Sequence, residues 1–185
     1  NLKNNSNMYW LPQEMILFNN CNIRRKININ IEDNSNFLMS ESIVFGRTSM
    51  KEKFTTGLYS DFWKIHKNKK LVHVEASNTN GYTADIFAKA ATFNKNCAIN
   101  IIIGIGDIIL KKGEIIKNNL KNSKMSHSEV SIWDEKLIIR TISIDNYHLR
   151  FALEKILSYF FKNSIPKIWS IWTWNFHHEK KINYL

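Results

Sequence analysis

The sequence predicts a mainly β domain with one well-defined α-helix near its C-terminal end. Several segments alternate apolar and polar residues with a period of two, which is typical of half-buried strands in antiparallel sheets. A later segment instead repeats apolar residues at three- and four-residue spacing, as an amphipathic helix does. No regular alternation of strand and helix patterns appears, so the sequence does not predict a doubly wound parallel sheet.

Three segments carry the strand pattern most clearly. The first, RKININIED at residues 25–33, places isoleucines on one face: Ile27, Ile29 and Ile31. The second, KLVHVEAS at residues 70–77, also alternates, with an expected apolar face of Val72, Val74 and Ala76. The third, residues 128–145, predicts a β-hairpin with its turn at WDEK, residues 133–136.

The clearer of two predicted helices begins after Asp145 or Asn146. Either side chain could accept hydrogen bonds from the free N–H groups of the first turn. The apolar residues that recur at helical spacing are Leu149, Ala152, Leu153, Ile156, Leu157 and Phe160. The helix should end near residues 162–163, because Pro166 follows shortly afterwards.

A second, weaker helix is expected from about Asp107 to Leu120, where several isoleucines could share one face. Gly113 lowers the helix propensity of this segment. The preceding residues 80–95, NGYTADIFAKAATFNK, fit neither the helical nor the strand period. The polar run between residues 118 and 128 predicts a loop.

Length and cysteine content predict one soluble, cytoplasmic domain over residues 1–185. A chain of 185 residues that is 44% apolar suits a single core. Asn1 in place of methionine and a polar opening indicate that a natural N-terminal part is missing. Cys21 and Cys97 lack the spacing of a disulfide framework or zinc site, so reduced thiols are expected. The longest apolar run, residues 97–110, is shorter than the roughly 20 residues of a membrane-spanning helix.

The net charge of +10 allows two interpretations. A basic nucleic-acid-binding domain is one, because clustered cations release counterions from phosphate. Its candidate surface is Lys64, Lys67, Lys69 and Lys70 beside Trp63. However, most basic residues are spread along the chain, and Asn, Ile and Lys are all used heavily, as in AT-rich coding sequences. We therefore favour a solvated lysine surface over nucleic-acid binding.

No catalytic constellation is recognisable, so the sequence predicts neither an enzyme nor a tightly bound cofactor. No serine lies in a G-x-S-x-G elbow, and the carboxylates are scattered over different predicted strands. The GIGD at residues 104–107 lacks the rest of a phosphate-binding loop, which favours a simple turn or strand end. The adjacent His177 and His178 could form a weak metal site, although a solvated tail is the simpler interpretation.

An aromatic segment, IWSIWTWNF at residues 168–176, contains Trp169, Trp172 and Trp174. Exposed tryptophans often anchor a protein–protein interface. A terminal segment that packs back on the body of the domain would use the same residues. Both interpretations stay open from the sequence.

Two separated blocks of residues match one known pattern. The first block consists of Trp10, Pro12, Gln13, Glu14, Ile16, Phe18, Arg24 or Arg25, Glu41, Gly46, Arg47, Glu52, Phe54 and Gly57. The second consists of Arg140, Leu149, Arg150, Leu153, Ile156, Pro166 and Trp169, with a weaker match at Trp63, Leu71 and Glu75 between them. The chain thereby resembles the UreD family of urease accessory proteins, also called UreH, over most of residues 9–171.

This resemblance implies a mainly β fold of layered antiparallel and helically wound β-sheets, with a small helical insertion and a C-terminal α-helix. It also implies a non-catalytic scaffold that is required for nickel insertion into apo-urease. The implied partners are the apo-urease subunits, the helical accessory protein UreF and the GTPase UreG. Nickel would be in transit and not tightly bound. The family carries a further N-terminal portion that has no counterpart here, and residues 173–185 extend beyond its pattern.

The resemblance also supplies candidates for an interface or a polar path through the domain: Glu14, Arg24, Glu41, Arg47, Arg140, Trp169 and Trp172. It implies that Glu14 lies at a turn between layers, beside a polar interior that Arg47 also serves. The alternative for Glu14 is that it only satisfies neighbouring backbone groups. Pro12 suits a position at the start of a strand because it needs no partner for a ladder donor.

Overall fold

The computed structural model describes residues 1–47, 50–121, 128–161 and 165–169. These residues form a mainly β fold, which confirms the predicted fold class. The strands are β1 Asn7–Trp10, β2 Met15–Leu17, β3 Asn22–Ile31, β4 Asn36–Phe45, β5 Thr56–Lys67, β6 Lys70–Tyr82, β7 Ala98–Ile105, β8 Ser128–Trp133 and β9 Lys136–Ser143. The helices are α1 Ala84–Ala88, α2 Asp107–Lys121 and α3 Asn146–Ser158.

The strands build two sheets. The large sheet has the order β1-β4-β7-β9-β8, and β2 lies beyond β1 on the same edge of β4. The small sheet has the order β3-β5-β6. Between β2 and β7 the chain crosses repeatedly from one sheet to the other, which is the winding that the resemblance implies.

Several strand pairs are parallel, whereas the period-two patterns led us to expect antiparallel pairing. β1 and β2 both run parallel to β4, and β3 runs parallel to β5. A period of two reports only that one face of a strand is buried, so it does not distinguish the two directions. The remaining pairs, including the predicted hairpin of β8 and β9, are antiparallel.

The molecule has three layers, because the large sheet is covered on both faces. One face packs against α2 and α3 through residues such as Leu38, Ile102 and Leu153. The other face packs against the small sheet, where Trp63 and Ile103 belong to a shared apolar cluster. A separate aromatic cluster forms around Phe45 at the far end of the same inter-sheet space.

The predicted C-terminal helix is present but shorter than expected. Asp145 caps α3, and its side chain accepts a hydrogen bond from the backbone N–H of His148 at 2.8 Å. The α-helix ends at Ser158, and the next two residues continue only in tighter turns. The predicted end at residues 162–163 lies outside the described residues. The weaker helix is also confirmed as α2, and the ambiguous residues 80–95 contain the short helix α1.

The predicted buried face of β6 is confirmed at Val72, which packs against the apolar cluster between the sheets, and is wrong at Val74 and Ala76, which are exposed. Val74, expected on the apolar face, is 42% exposed, whereas His73 and Glu75 point into the inter-sheet space. The pairing of β5 with β6 is irregular here, because Ile65 pairs with His73 and His66 with Leu71, which leaves Val72 as an extra residue. The residues that follow Val72 therefore face the opposite way from the predicted alternation. None of the helices in the described parts of the chain has the length and apolar character that a membrane crossing needs.

Candidate functional site

The Pro-Gln-Glu segment lies at a break in the edge of the large sheet. β1 ends in register with Met39, and β2 begins in register with Ile43. The three residues between them on β4, Ser40, Glu41 and Ser42, therefore have no strand on this edge. Residues 11–14 span the break instead, and Pro12 fits there because no ladder hydrogen bond is required of it.

The first half of the site is the inter-sheet charge cluster, which consists of Arg25, Asp61, Glu41, Tyr59 and Trp10. Arg25 donates two hydrogen bonds to Asp61, from Nε at 3.0 Å and from Nη2 at 2.6 Å. Its Nη1 donates to Glu41 at 3.0 Å, so one guanidinium joins β3, β4 and β5. Tyr59 donates to Asp61 at 2.9 Å, and the Trp10 indole donates to Glu41 at 2.9 Å.

Burial gives this cluster its electrostatic character. The carboxylates of Glu41 and Asp61 are almost completely buried. Burial alone would lower the pKa of Arg25, but Asp61 and Glu41 outweigh it and raise that pKa above its ordinary value. Burial, together with the neighbouring Asp61, raises the pKa of the Tyr59 hydroxyl. Two carboxylates share one guanidinium here, so the cluster carries an excess of negative charge.

A second pair of charges extends the polar layer across the sheets. Arg140 of β9 donates to Glu75 of β6 at 2.6 Å, and His73 Nε2 lies 3.4 Å from the same carboxylate. In the large sheet, Glu41 and Arg140 flank Ile101 in register from opposite sides. The polar layer therefore lies between the apolar cluster around Trp63 and the aromatic cluster around Phe45.

The second half of the site is the helix-side charge cluster, which lies on the opposite face of the large sheet. It consists of Glu14, Gln13, Asn146, Arg150 and Trp169. Arg150 Nη1 donates to Gln13 at 2.7 Å and to Glu14 at 2.8 Å. Asn146 donates to the other oxygen of Glu14 at 2.5 Å. The Arg150 guanidinium lies 5.2 Å from the centre of the Trp169 ring, and the indole donates to the Leu11 carbonyl.

These contacts set the charge state of Glu14. Burial alone would raise the pKa of its carboxyl group, but the hydrogen bond from Asn146 and the charge of Arg150 hold that pKa below its ordinary value. Arg150 Nε and Asn146 Oδ1 are buried without a hydrogen-bond partner in the described part of the chain. Glu14 thus does more than satisfy local backbone groups, because it holds α3 against the break in the sheet.

Asn100 of β7 lies on the helix side of the large sheet and contacts the β4 residues on either side of Glu41. Its amide nitrogen lies within 3.0 Å of the hydroxyls of Ser40 and Ser42 and of the Glu41 carbonyl oxygen. Because side chains alternate along β4, the two serines face the helix side while the Glu41 carboxylate faces the small sheet. We call the two charge clusters together with Asn100, Ser40 and Ser42 the polar crossing.

Three of the sequence candidates lie outside the polar crossing: Arg24, Arg47 and Arg140, of which Arg140 belongs to the neighbouring pair with Glu75. Arg24 is exposed on the outer face of β3, and its neighbour Arg25 occupies the interior position. Arg47 is placed in a surface loop, where it pairs with Glu52 and lies 4.4 Å from the centre of the Phe18 ring. Arg47 therefore does not share the polar interior with Glu14. It closes a loop whose turn requires the positive φ of Gly46, at 86°.

Trp169 is buried, with 2% of its surface exposed, so it serves packing. Trp172, Trp174, His177 and His178 lie outside the described residues. Among residues 1–47, 50–121, 128–161 and 165–169, no three His, Cys, Asp or Glu side chains converge closely enough to hold a metal ion.

Comparison with known proteins decides the family. The model of the UreD urease accessory protein family matches residues 1–170. The chain belongs to the UreD family. It is 30% identical over 165 residues to the urease accessory protein UreD of Agrobacterium fabrum, which covers 89% of this chain and 57% of the relative. It is 28% identical over 167 residues to UreD of Rhizobium leguminosarum bv. viciae, which covers 88% of the chain and 59% of the relative.

A further relative, UreD 1 of Bradyrhizobium sp., is 31% identical over 163 residues, with 86% of the chain and 57% of the relative covered. The chain thus spans less than two thirds of the length of these UreD proteins. Family membership assigns it to the accessory proteins of urease, and the family name does not describe a catalyst. The UreD-like blocks seen in the sequence contribute Glu14, Glu41 and Arg150 to the polar crossing.

Proposed function

We propose that this UreD-family chain is a non-catalytic scaffold in the maturation of urease. It would act in the cytoplasm, where it holds the urease apoprotein together with the helical accessory protein UreF and the GTPase UreG. The free thiols of Cys21 and Cys97 suit a reducing compartment. Nickel would be cargo that passes along the chain on its way into urease, and not a resident cofactor.

The observation that carries the nickel part of this proposal is the polar crossing. A divalent cation cannot cross an apolar layer without a large desolvation cost. In the polar crossing, carboxylate, amide and hydroxyl oxygens reach both faces of the large sheet. Carboxylate and carbonyl oxygens are ligands for divalent cations, and without imidazole or thiolate beside them they would hold nickel only weakly. The excess negative charge of the inter-sheet charge cluster also favours a cation.

The scaffold part is supported by the edge of the large sheet. Four large apolar side chains remain exposed along β1, β2 and the residue after β2: Tyr9, Trp10, Ile16 and Phe18, between 39% and 47% of their surface. Aromatic side chains of this size are enriched at protein interfaces. An apolar edge beside a break in the sheet therefore suits contact with another protein better than exposure to water.

The test is co-expression of the tagged chain with apo-urease, UreF and UreG. We expect the chain to co-purify with the urease subunits or with UreF, and Glu41→Gln to keep this binding but lower the nickel content of urease. Glu32→Gln is the matched control, because Glu32 pairs with Lys3 at the surface. Failure of the chain to retain any of these partners would contradict the scaffold. Equal nickel content of urease with Glu41→Gln and with Glu32→Gln would contradict the passage of nickel through the polar crossing.

The nucleic-acid alternative receives no support from the candidate surface. Trp63, the aromatic residue expected to stack on bases, is only 2% exposed and belongs to the apolar cluster between the sheets. Lys67 is paired with Glu135 at 2.8 Å. Stacking platforms for single strands need several accessible rings beside unpaired cations, and the ring expected to stack here is not accessible.

A further inference from the structure

The charged side chains on the outer face of the small sheet are positive. Along β3, β5 and β6, the side chains that point away from the large sheet include Arg24, Lys26 and Lys64 and no carboxylate. The acidic residues of the same strands, Asp61 and Glu75, both point inward. The outer face therefore carries cations without carboxylates, whereas the carboxylates lie on the inner face, where Arg25 accompanies them.

The register of the strands places these cations around an apolar centre. Phe62 of β5 pairs with Lys26 of β3 on one side and with Ala76 of β6 on the other. One row further along, Lys64 pairs with Val74, which is 42% exposed. The Lys64 ammonium lies 5.5 Å from the centre of the Phe62 ring.

The cations of this face have no carboxylate partners of their own. No ion pair joins Arg24, Lys26 or Lys64 to a carboxylate within the described ranges, whereas the exposed Lys3 and the loop residue Arg47 are both paired. An unpaired cation does not have to give up an existing ion pair when it binds a new carboxylate. These cations can therefore pair with carboxylates of another protein.

We propose that this face, centred on Phe62, binds an acidic protein surface that offers carboxylates around one apolar side chain. The proposal rests on the proposed function, because the urease maturation assembly is the source of the partner. An apolar centre with a charged rim is the ordinary composition of a protein–protein interface. A nucleic acid fits less well, because Phe62 is the one ring among these cations in the described residues, and the exposed Tyr82 lies at the far end of β6.

The experiment measures binding of the full chain to immobilised apo-urease from the same organism by biolayer interferometry, with UreF as a second probe. We expect Lys26→Glu to weaken binding to one of these probes by at least about ten-fold, mainly through slower association. Phe62→Ala should weaken it to a similar extent, about ten-fold, through faster dissociation. Lys111→Glu, the same charge change on the exposed side of α2, should leave the affinity within about two-fold.

Salt dependence provides a second readout. Raising the ionic strength from a low value to about 0.15 M should weaken the wild-type complex more than the Lys26→Glu complex. If the wild-type chain binds neither probe, the proposed function fails together with this inference. If the wild type binds but Lys26→Glu and Lys111→Glu behave alike, only the inference is overturned. Binding of a single-stranded oligonucleotide that Lys26→Glu abolishes, with apo-urease and UreF binding unchanged, would overturn it in favour of nucleic acid.

Discussion

Replacing Arg150 by methionine removes the guanidinium on which the helix-side charge cluster is built. The substitution deletes the hydrogen bonds to Gln13, to Glu14 and to the Ile168 carbonyl. It also leaves the Glu14 carboxylate, whose side chain is 11% exposed, without its buried counter-charge. Methionine has a similar apolar stem, so packing against Trp169 is only partly lost.

The expected loss follows from this burial. Removing one partner of a buried ion pair costs about 3–5 kcal/mol, because an uncompensated charge stays inside the protein. Lys3→Met is the matched control, since its side chain is 79% exposed and that of its partner Glu32 is 41% exposed. Solvent screens that pair, so we expect its removal to leave the stability nearly unchanged.

The assay is urea unfolding followed by circular dichroism, with the free energy taken from the transition midpoint and slope. The double variant Glu14→Gln with Arg150→Met should regain part of the loss, because the buried charge is then absent. If Arg150→Met and Lys3→Met are equally mild, the helix-side charge cluster does not hold α3 against the sheet. That result would refute the reasoning about the break at residues 11–14.

The remaining predictions concern other parts of the same framework. Gly46→Ala should destabilise the protein more than Gly81→Ala in urea unfolding. Both glycines have positive φ, but a Cβ at Gly46 would lie 2.6 Å from a carbonyl oxygen, whereas one at Gly81 meets nothing within 4 Å. Equal losses of stability would argue against the close approach at Gly46. Glu14→Gln should be less stable than wild type at neutral pH. The difference in stability should shrink as pH falls below about 4.3, because the folded-state pKa of Glu14 is depressed. A difference that stays constant with pH would contradict the depressed pKa. Trp169→Phe should lower the free energy of unfolding, measured by calorimetry, by about 1 kcal/mol, because the indole hydrogen bond is lost. An unchanged melting temperature would count against a stabilising role for that bond.

Much of the fold could be predicted from the sequence because local patterns report burial. The isoleucines of β3 face the core as expected, and the hairpin and α3 lie where their periods place them. The same alternation, continued backwards from Ile27, points Arg25 inward and Arg24 outward. This signal was available, although the resemblance left the two arginines undecided.

Other features could not be predicted, because they depend on partners distant in sequence. Val74 is more apolar than Glu75, yet Glu75 is the buried residue because Arg140 faces it from the other sheet. Likewise, the role of Glu14 depends on Arg150, which lies 136 positions away. A period-two pattern also contains no information on whether a neighbouring strand runs parallel, as β4 does to β1.

The proposed role is tested most directly by the nickel content of purified urease. The enzyme is prepared from cells that express urease together with the wild-type chain and from cells that contain no chain of this family. Our account predicts that urease matured with the chain carries nickel and that urease made without it remains largely metal-free. Equal nickel content in the two preparations would contradict the claim that this protein takes part in delivering the metal.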